Sequence, residues 1–278
     1  MTRDLLRRRL NSAWITVLLA LFGFVALYPV YFVIVSSLKS RREYVSNIFG
    51  LPQAPSLVNY AEVFDRFNLW KALFNSLVTT AGGVVLCVVL ALVLAYAVTK
   101  MRLPFRNFIF VFVIGTLVLP VQTILFPLYQ TLIDLRFVGQ YWGLMIAYAT
   151  FGLPLSVYLL AAYFKGIPDE LLDAARVDGA THGQIVARLM VPLAMPAVAT
   201  VAVIDTLHFF NDLLLPLLIL PSSRRTTLMV HIMLFRGQND LSVPLLSAGL
   251  FIAMLPVLIA YLVGQKQLIK GLTAGAVK

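Results

Sequence analysis

Asp205, His208, Asn211 and Asp212 fall inside a run of apolar residues long enough to cross a bilayer. Asp205, His208 and Asp212 are spaced three and then four apart, which in an α-helix aligns them on one face. A charge at the centre of a membrane costs about 3 kcal/mol, so such residues face water, a partner or one another. Residues of these types in this pattern suit a lining for a polar solute, with Phe209 and Phe210 offering rings to stack on it. They equally suit a proton relay through Asp205 and His208, or hydrogen bonding that only holds a bundle together. A metal site is the poorest fit, because three donors lack a fourth ligand nearby, and none is expected. The sequence holds no G-x-x-x-x-G-K-[ST] phosphate cradle, no G-x-S-x-G elbow and no H-E-x-x-H helix. Energy for any work done by this chain must therefore come from elsewhere, and no catalytic residue is expected.

The second polar group is the stretch 165–192, where Asp169, Glu170, Asp173, Arg176, Asp178, His182 and Arg188 follow in quick succession. It reads as two short helices and a tight turn. Pro168 suits a first helical position, and Asp169 and Glu170 complement the positive end of the helix dipole. Gly179 is placed to take the left-handed conformation that closes this helix, and Thr181 with Gln184 fits a capping box for the next. In the second piece Ile185 pairs with Leu189, and Val186 with Met190, at the four-residue spacing of one helical face. Two amphipathic half-helices between apolar runs have a surface to hide, on lipid or in a partner's groove. Their balanced-to-acidic charge and the small Ala174 and Ala175 at the centre favour a protein partner.

Six segments are long and apolar enough to position these groups in a membrane: 13–38, 73–98, 108–130, 141–164, 193–220 and 245–264. With 60% hydrophobic and 12% charged residues, the composition is that of an all-α membrane protein rather than a soluble domain. The net charge of +10 comes without aromatic-interleaved basic patches, so it is read as topology and not as nucleic-acid binding. Arg3, Arg7, Arg8 and Arg9, then Lys100, Arg102 and Arg106, lie on the sides that the positive-inside rule assigns to the cytoplasm. Both termini and the stretch 165–192 are then cytoplasmic. The apolar run after the N-terminal arginines is too long for a cleaved signal and reads as a retained first span. Cys87 is the single cysteine, so no intrachain disulfide forms. Pro120, Pro127 and Pro154 should bend the third and fourth spans and open internal space, and Gly82-Gly83 allows close helix contact.

The order Asp173-Ala174-Ala175, Asp178-Gly179-Ala180, Val191-Pro192 resembles the EAA motif of permease subunits of ATP-binding-cassette importers, with Asp173 where that family usually has Glu. Asn75-Ser76, Ala95-Tyr96-Ala97, the pair Asn211-Asp212 and the tail from Gly271 to Lys278 resemble the carbohydrate-uptake, MalG-type branch. The resemblance implies six transmembrane helices with a cytoplasmic coupling loop (165–192) between the fourth and fifth. The chain divides into an N-terminus (1–12), a first span (13–38), an extracytoplasmic segment (39–72), a five-span core (73–264) and a C-terminal tail (265–278). Glu170, Asp173, Ala174, Ala175, Asp178 and Gly179 would dock on an ATPase. Asp205, His208, Phe209, Phe210, Asn211 and Asp212 would line a substrate path. Gly271, Thr273, Gly275 and Lys278 of the tail would touch the ATPases. The implied partners are a non-identical MalF-type permease, two ATPase subunits carrying ATP and magnesium, an extracytoplasmic solute-binding protein, a sugar and the lipid bilayer of a prokaryotic inner membrane; no cofactor is bound by the chain itself. Outside that resemblance, a proton-coupled transporter using Asp205 and His208 and a membrane scaffold or sensor remain open on the residues alone.

Overall fold

The computed structural model describes the backbone of residues 2–221, 225–235 and 242–276, and side chains within 14–65, 68–221, 225–234 and 242–267. Among these residues the regular structure is entirely helical, and the chain divides into two units.

The first unit holds residues 1–69 and 234–252. Helix α1 (Thr2–Ser37) leads it. From Trp14 to Pro29 this helix is predominantly apolar and exposed within the chain, with Phe22 and Phe24 about 70% accessible, the surface of a helix made for lipid or another subunit. Its far end is tied down. The Lys39 ammonium is buried and donates to the carbonyl oxygens of Asn47 (2.7 Å) and Ile48 (3.1 Å), which satisfies a charge that burial would otherwise penalise. Asn59 donates to the Ser37 and Lys39 carbonyls, each at 2.8 Å, and so pins α3 (Val58–Phe67) to the end of α1. The short α2 (Arg41–Ser46), capped by Ser40, sits between them.

The second unit holds residues 70–233 and 253–278. Helices α4 (Leu69–Lys100) and α7 (Tyr141–Lys165) run through its centre. They approach closely because Gly82 and Gly83 lack side chains: a Cβ on Gly83 would lie 2.9 Å from Tyr148 Cβ, and one on Gly82 would lie 2.5 Å from Met145 Sδ. Two apolar cores flank this contact, one reaching Met190 and Ala197 and the other Phe209 and Leu220.

The expected third span is not one helix. Helices α5 (Arg106–Gly115) and α6 (Val121–Asp134) meet at 108°, through a 3₁₀ turn over Thr116–Val118 and Pro120 at the start of α6. Proline there removes a backbone donor and disfavours helix in the residue before it, so the chain turns instead of continuing. Among the described residues four helices are long and apolar enough to cross a membrane, and there are up to six spans if each of two bent pairs counts as one. After α8 (Asp169–Val177) comes the second bent pair, in which the stretch from α9 (His182–Ile185) to α10 (Val191–Leu193) meets α11 (Met195–Asn211) at 83°, followed by α12 (Leu214–Ile219). Helix α13 (Leu228–Phe235) precedes α14 (Val243–Ala276), which continues past the expected end of the sixth span into the tail. Lys278 lies outside the described residues, as do the side chains of Gly271, Thr273 and Gly275.

Candidate functional site

The stretch after α7 folds as its sequence dictates. Pro168 sits one residue earlier than expected, at the N-cap, with Asp169 and Glu170 in the first turn of α8. The helix closes in a Schellman turn: the Gly179 amide donates to the Arg176 carbonyl and the Ala180 amide to that of Ala175, each at 3.0 Å. Gly179 has φ +79° with open space where a Cβ would stand. The demand for glycine is conformational, since an L-residue resists that left-handed well even without a clash. Thr181 and Gln184 form the expected capping box, each side chain reaching the other's backbone amide (2.8 and 3.4 Å).

The second half-helix departs from the four-residue pairing. A π turn over Val186–Met190 widens the repeat to five residues. Ile185 and Met190 therefore share the buried face, at 1% and 0% exposure, while Val186 and Leu189 are only half-buried. With Leu172 they enter the same core as Tyr96, Phe164, Ile167 and Ala197. One side of the segment is thus continuous with the interior of α4, α7 and α11. The other side carries Glu170, Asp173, Ala174, Val177 and Asp178 in the open, Val177 at 88% exposure, with Ala175 half-buried. Asp173 is held by Arg176 at 2.8 Å, whereas the Glu170 carboxylate makes no hydrogen bond or ion pair among the described residues.

Two contacts fix the segment to the end of α4. The Lys100 side chain is 5% exposed, and its ammonium donates to the Ile167 carbonyl and to Asp169 Oδ1, both at 2.6 Å. That hydrogen bond, together with the Lys100 charge, holds the Asp169 carboxyl below its usual range, and Arg176 and Arg106 add to the effect. The Tyr96 hydroxyl meets His182 Nδ1 at 2.9 Å. Sequence reasoning passed over Lys100, which counted only toward topology, and Tyr96, which stood only as part of a motif.

The polar run of α11 is arranged differently from the single stripe expected. Asp205 is buried at 1% exposure and shares its face with Phe209, while His208 and Asn211 are exposed. Ser156 on α7 donates to Asp205 Oδ2 (3.0 Å), and the Cys87 thiol on α4 to Ser156 Oγ (3.5 Å). Asp212 lies beyond the last helical turn with extended backbone, so the four-residue spacing no longer applies to it. Its Oδ1 accepts the Leu214 amide (3.0 Å) at the start of α12, and its Oδ2 is buried without a hydrogen-bond partner among the described residues. Phe209 stacks face to face on Tyr148 at 4.7 Å between ring centres, and Phe210 is 3% exposed. The partners Ser156, Cys87 and Tyr148 were missed because a lone hydroxyl, thiol or phenol in an apolar helix carries no spacing signal.

The bend between α5 and α6 borders a crevice open to the surface, and α7 continues as one helix through Pro154. The crevice, of about 540 Å³, lies against α7, lined by Phe112, Thr116, Pro127, Thr131, Phe151 and Pro154. Among the described residues no cluster of His, Cys, Asp or Glu is placed to hold a metal.

The second unit is a helical assembly of membrane-span character, with one polar segment locked to its core on one side and open on the other. Residues 83–272 match the family described as the binding-protein-dependent transport system inner membrane component, and the chain belongs to that family. It is a transport permease subunit that works with a binding protein. It is 35% identical over 255 residues to the osmoprotective compounds uptake permease protein GgtD of Synechocystis sp., covering 88% of this chain and 85% of that one. It is 32% identical over 250 residues to the probable starch degradation products transport system permease protein AmyC of Thermoanaerobacterium thermosulfurigenes, covering 90% and 91%. The fold matches the crystal structure of a bacterial ABC transporter involved in the import of the acidic polysaccharide alginate, with a TM-score of 0.83 at 25% identity over 93% of this chain and 96% of that one.

Proposed function

We propose that this chain is one permease of an ATP-driven importer for a carbohydrate, forming half of the translocation pathway. The observation that carries the reading is the two-sided segment of α8 to α10: Leu172, Ile185 and Met190 are sealed into the span core while Glu170, Ala174 and Val177 stay open. The relatives named for starch degradation products and for alginate import support a carbohydrate cargo. A second, non-identical permease completes the pathway. Two ATPase subunits bind ATP and magnesium and seat the open face of the segment, and the tail from Gly271 to Lys278 reaches them. Both termini lie in the cytoplasm of the prokaryotic cell, and the binding protein delivers its cargo from the other side.

The mechanical argument follows from packing. A close-packed interior transmits displacement instead of absorbing it. When the ATPase pair closes, the segment moves as one body, because Lys100, the Tyr96–His182 contact and the Leu172–Ile185–Met190 core bind it to α4, α7 and α11. The break at Pro120 lets α5 and α6 adjust as these helices tilt. Contact with cargo is assigned to Asn211 and Asp212 at the end of α11 that this topology turns outward, a reading supported by the exposure of Asn211 and by the unpartnered Oδ2 of Asp212. A proton relay through Asp205 and His208 lacks this kind of support, since the first is buried on Ser156 and the second is exposed.

The test is to isolate the chain from solubilised membranes and measure nucleotide hydrolysis with candidate binding proteins and sugars. Recovery of an ATPase and a second permease, with hydrolysis stimulated by one loaded binding protein, is the expected result. Recovery of the chain alone, with uptake that survives loss of the ATPase, contradicts it.

A further inference from the structure

Beside the segment that begins at α8, the end of α4 and the start of α5 enclose a second cavity, of about 590 Å³, whose walls carry Lys100, Arg102, Arg106, Asp169, Arg176 and His182. Its charges do not balance. The Asp169 carboxylate is matched by Lys100 at 2.6 Å and the neighbouring Asp173 by Arg176 at 2.8 Å. Arg102 and Arg106 are both exposed and make no hydrogen bond or ion pair among the described residues, although Arg106 adds at longer range to the field on Asp169. Two guanidinium groups on one wall, with no protein acceptor, present the paired donors that match phosphate oxygens.

The surface next to this cleft is apolar. Phe105 is 81% exposed, and Phe108, Val111 and Phe112 on the following turns are 64 to 69% exposed. The Phe108 and Phe112 rings stack at 6.2 Å, and with Phe105, which precedes Arg106 in the chain, they form an apolar strip on the face of α5 turned away from Arg106. A cationic cleft at the root of a helix whose outer face is exposed and apolar fits a charged headgroup whose acyl chains lie beside that helix, an arrangement a free anion would not need.

We propose that this cleft binds the phosphate of an anionic phospholipid headgroup, with Arg102 and Arg106 as its principal ligands. The bound phosphate sits between the end of α4 and α8, against the same Lys100 that fixes the segment in place. Membrane composition then sets how firmly that segment is held. The proposal does not depend on which cargo the protein carries, and its readout is lipid retention rather than transport.

The full-length chain, with whatever subunits accompany it, is purified in neutral detergent and titrated with phosphatidylglycerol or phosphatidylcholine, counting bound lipids by native mass spectrometry. The wild type should retain phosphatidylglycerol in preference to phosphatidylcholine. Arg102→Gln and Arg106→Gln should each lower retention about fivefold, the contribution of one basic residue near an anionic surface, while Arg102→Lys and Arg106→Lys keep most of it. Inorganic phosphate at millimolar concentration should not displace the lipid. Equal retention by the wild type and the Gln variants overturns the proposal. So does displacement by inorganic phosphate, which would make this a free-anion site, or lipid binding seen only when the partner subunits are absent.

Discussion

The segment from Asp169 to Leu193 and the polar run from Asp205 to Asp212 have similar residue types but opposite relations to the rest of the chain. In the first, carboxylates face outward and apolar side chains face in, so Glu170 is left open while Leu172 is sealed at 1% exposure. In the second, Asp205 turns inward to Ser156, while Asp212 gives one carboxylate oxygen to the Leu214 amide and keeps the other buried without a partner among the described residues. A polar group whose needs are met within the chain contributes to the bundle. One left open on a rigid platform is available to a partner. The two regions therefore divide between docking and scaffolding, and substitutions should separate them.

The largest effect is expected at Gly179. Gly179→Val forces a β-branched residue into the left-handed turn at a cost of about 2 kcal/mol, roughly thirtyfold in the population of that turn. Uptake should fall by at least tenfold while the chain still inserts in the membrane; Gly179→Asn, which tolerates this conformation better, should recover much of it. Normal uptake in the Val variant would mean the turn is not part of the docking surface. Next in size is Asp205→Leu, which removes the acceptor for Ser156 and leaves a buried hydroxyl unpaired at about 1–3 kcal/mol. A lowered melting temperature of the purified chain is the expected readout, with Asp205→Asn milder. Loss of uptake in both variants without any loss of stability would move Asp205 from scaffold to pathway.

Lys100→Met sharpens the comparison further. It deletes both hydrogen bonds to the segment, worth about 1–2 kcal/mol together, since the Asp169 end is exposed. Amide hydrogen exchange should speed up in 169–193 and stay unchanged along α7; uniform acceleration would show that Lys100 supports the whole bundle. The smallest effect is that of pH. The Asp169 carboxyl is held below its ordinary 3.8, so its contribution is complete above that value and is lost only as pH falls through the lower, folded-state value. Exchange in 169–193 should therefore be unaltered by acidification from pH 7 to 5, once corrected for intrinsic rates. A rise in that window would point to a different titrating group.

The sequence was most legible where a feature is local. The capping box at Thr181 and Gln184, the left-handed Gly179 and the close approach at Gly82-Gly83 each depend on residues within a turn of one another or on a missing side chain. It was least legible where geometry depends on distant packing. Nothing in the order of Val186–Met190 announces a π turn, because the five-residue repeat appears only once Ile185 and Met190 must reach one core. The stripe of Asp205, His208 and Asp212 dissolved because the helix ends at Asn211, one residue before the third member. The break at Pro120 was half visible: a proline signals a bend, but a turn of 108° depends on the 3₁₀ residues before it and on where α6 finds α7. Ser156 and Cys87 gave no sign at all, since a hydroxyl and a thiol become a site only when another helix brings a carboxylate to them.

Docking through the open face of α8 is tested most directly by site-specific crosslinking. Cys87 is the single cysteine in the chain and is buried, so Val177→Cys in a Cys87→Ser background creates one accessible thiol on the proposed face. The expected result is a crosslink from position 177 to a nucleotide-binding subunit in native membranes, with a yield that changes when ATP is added. A crosslink to no subunit, in membranes where uptake is intact, would contradict docking through this face.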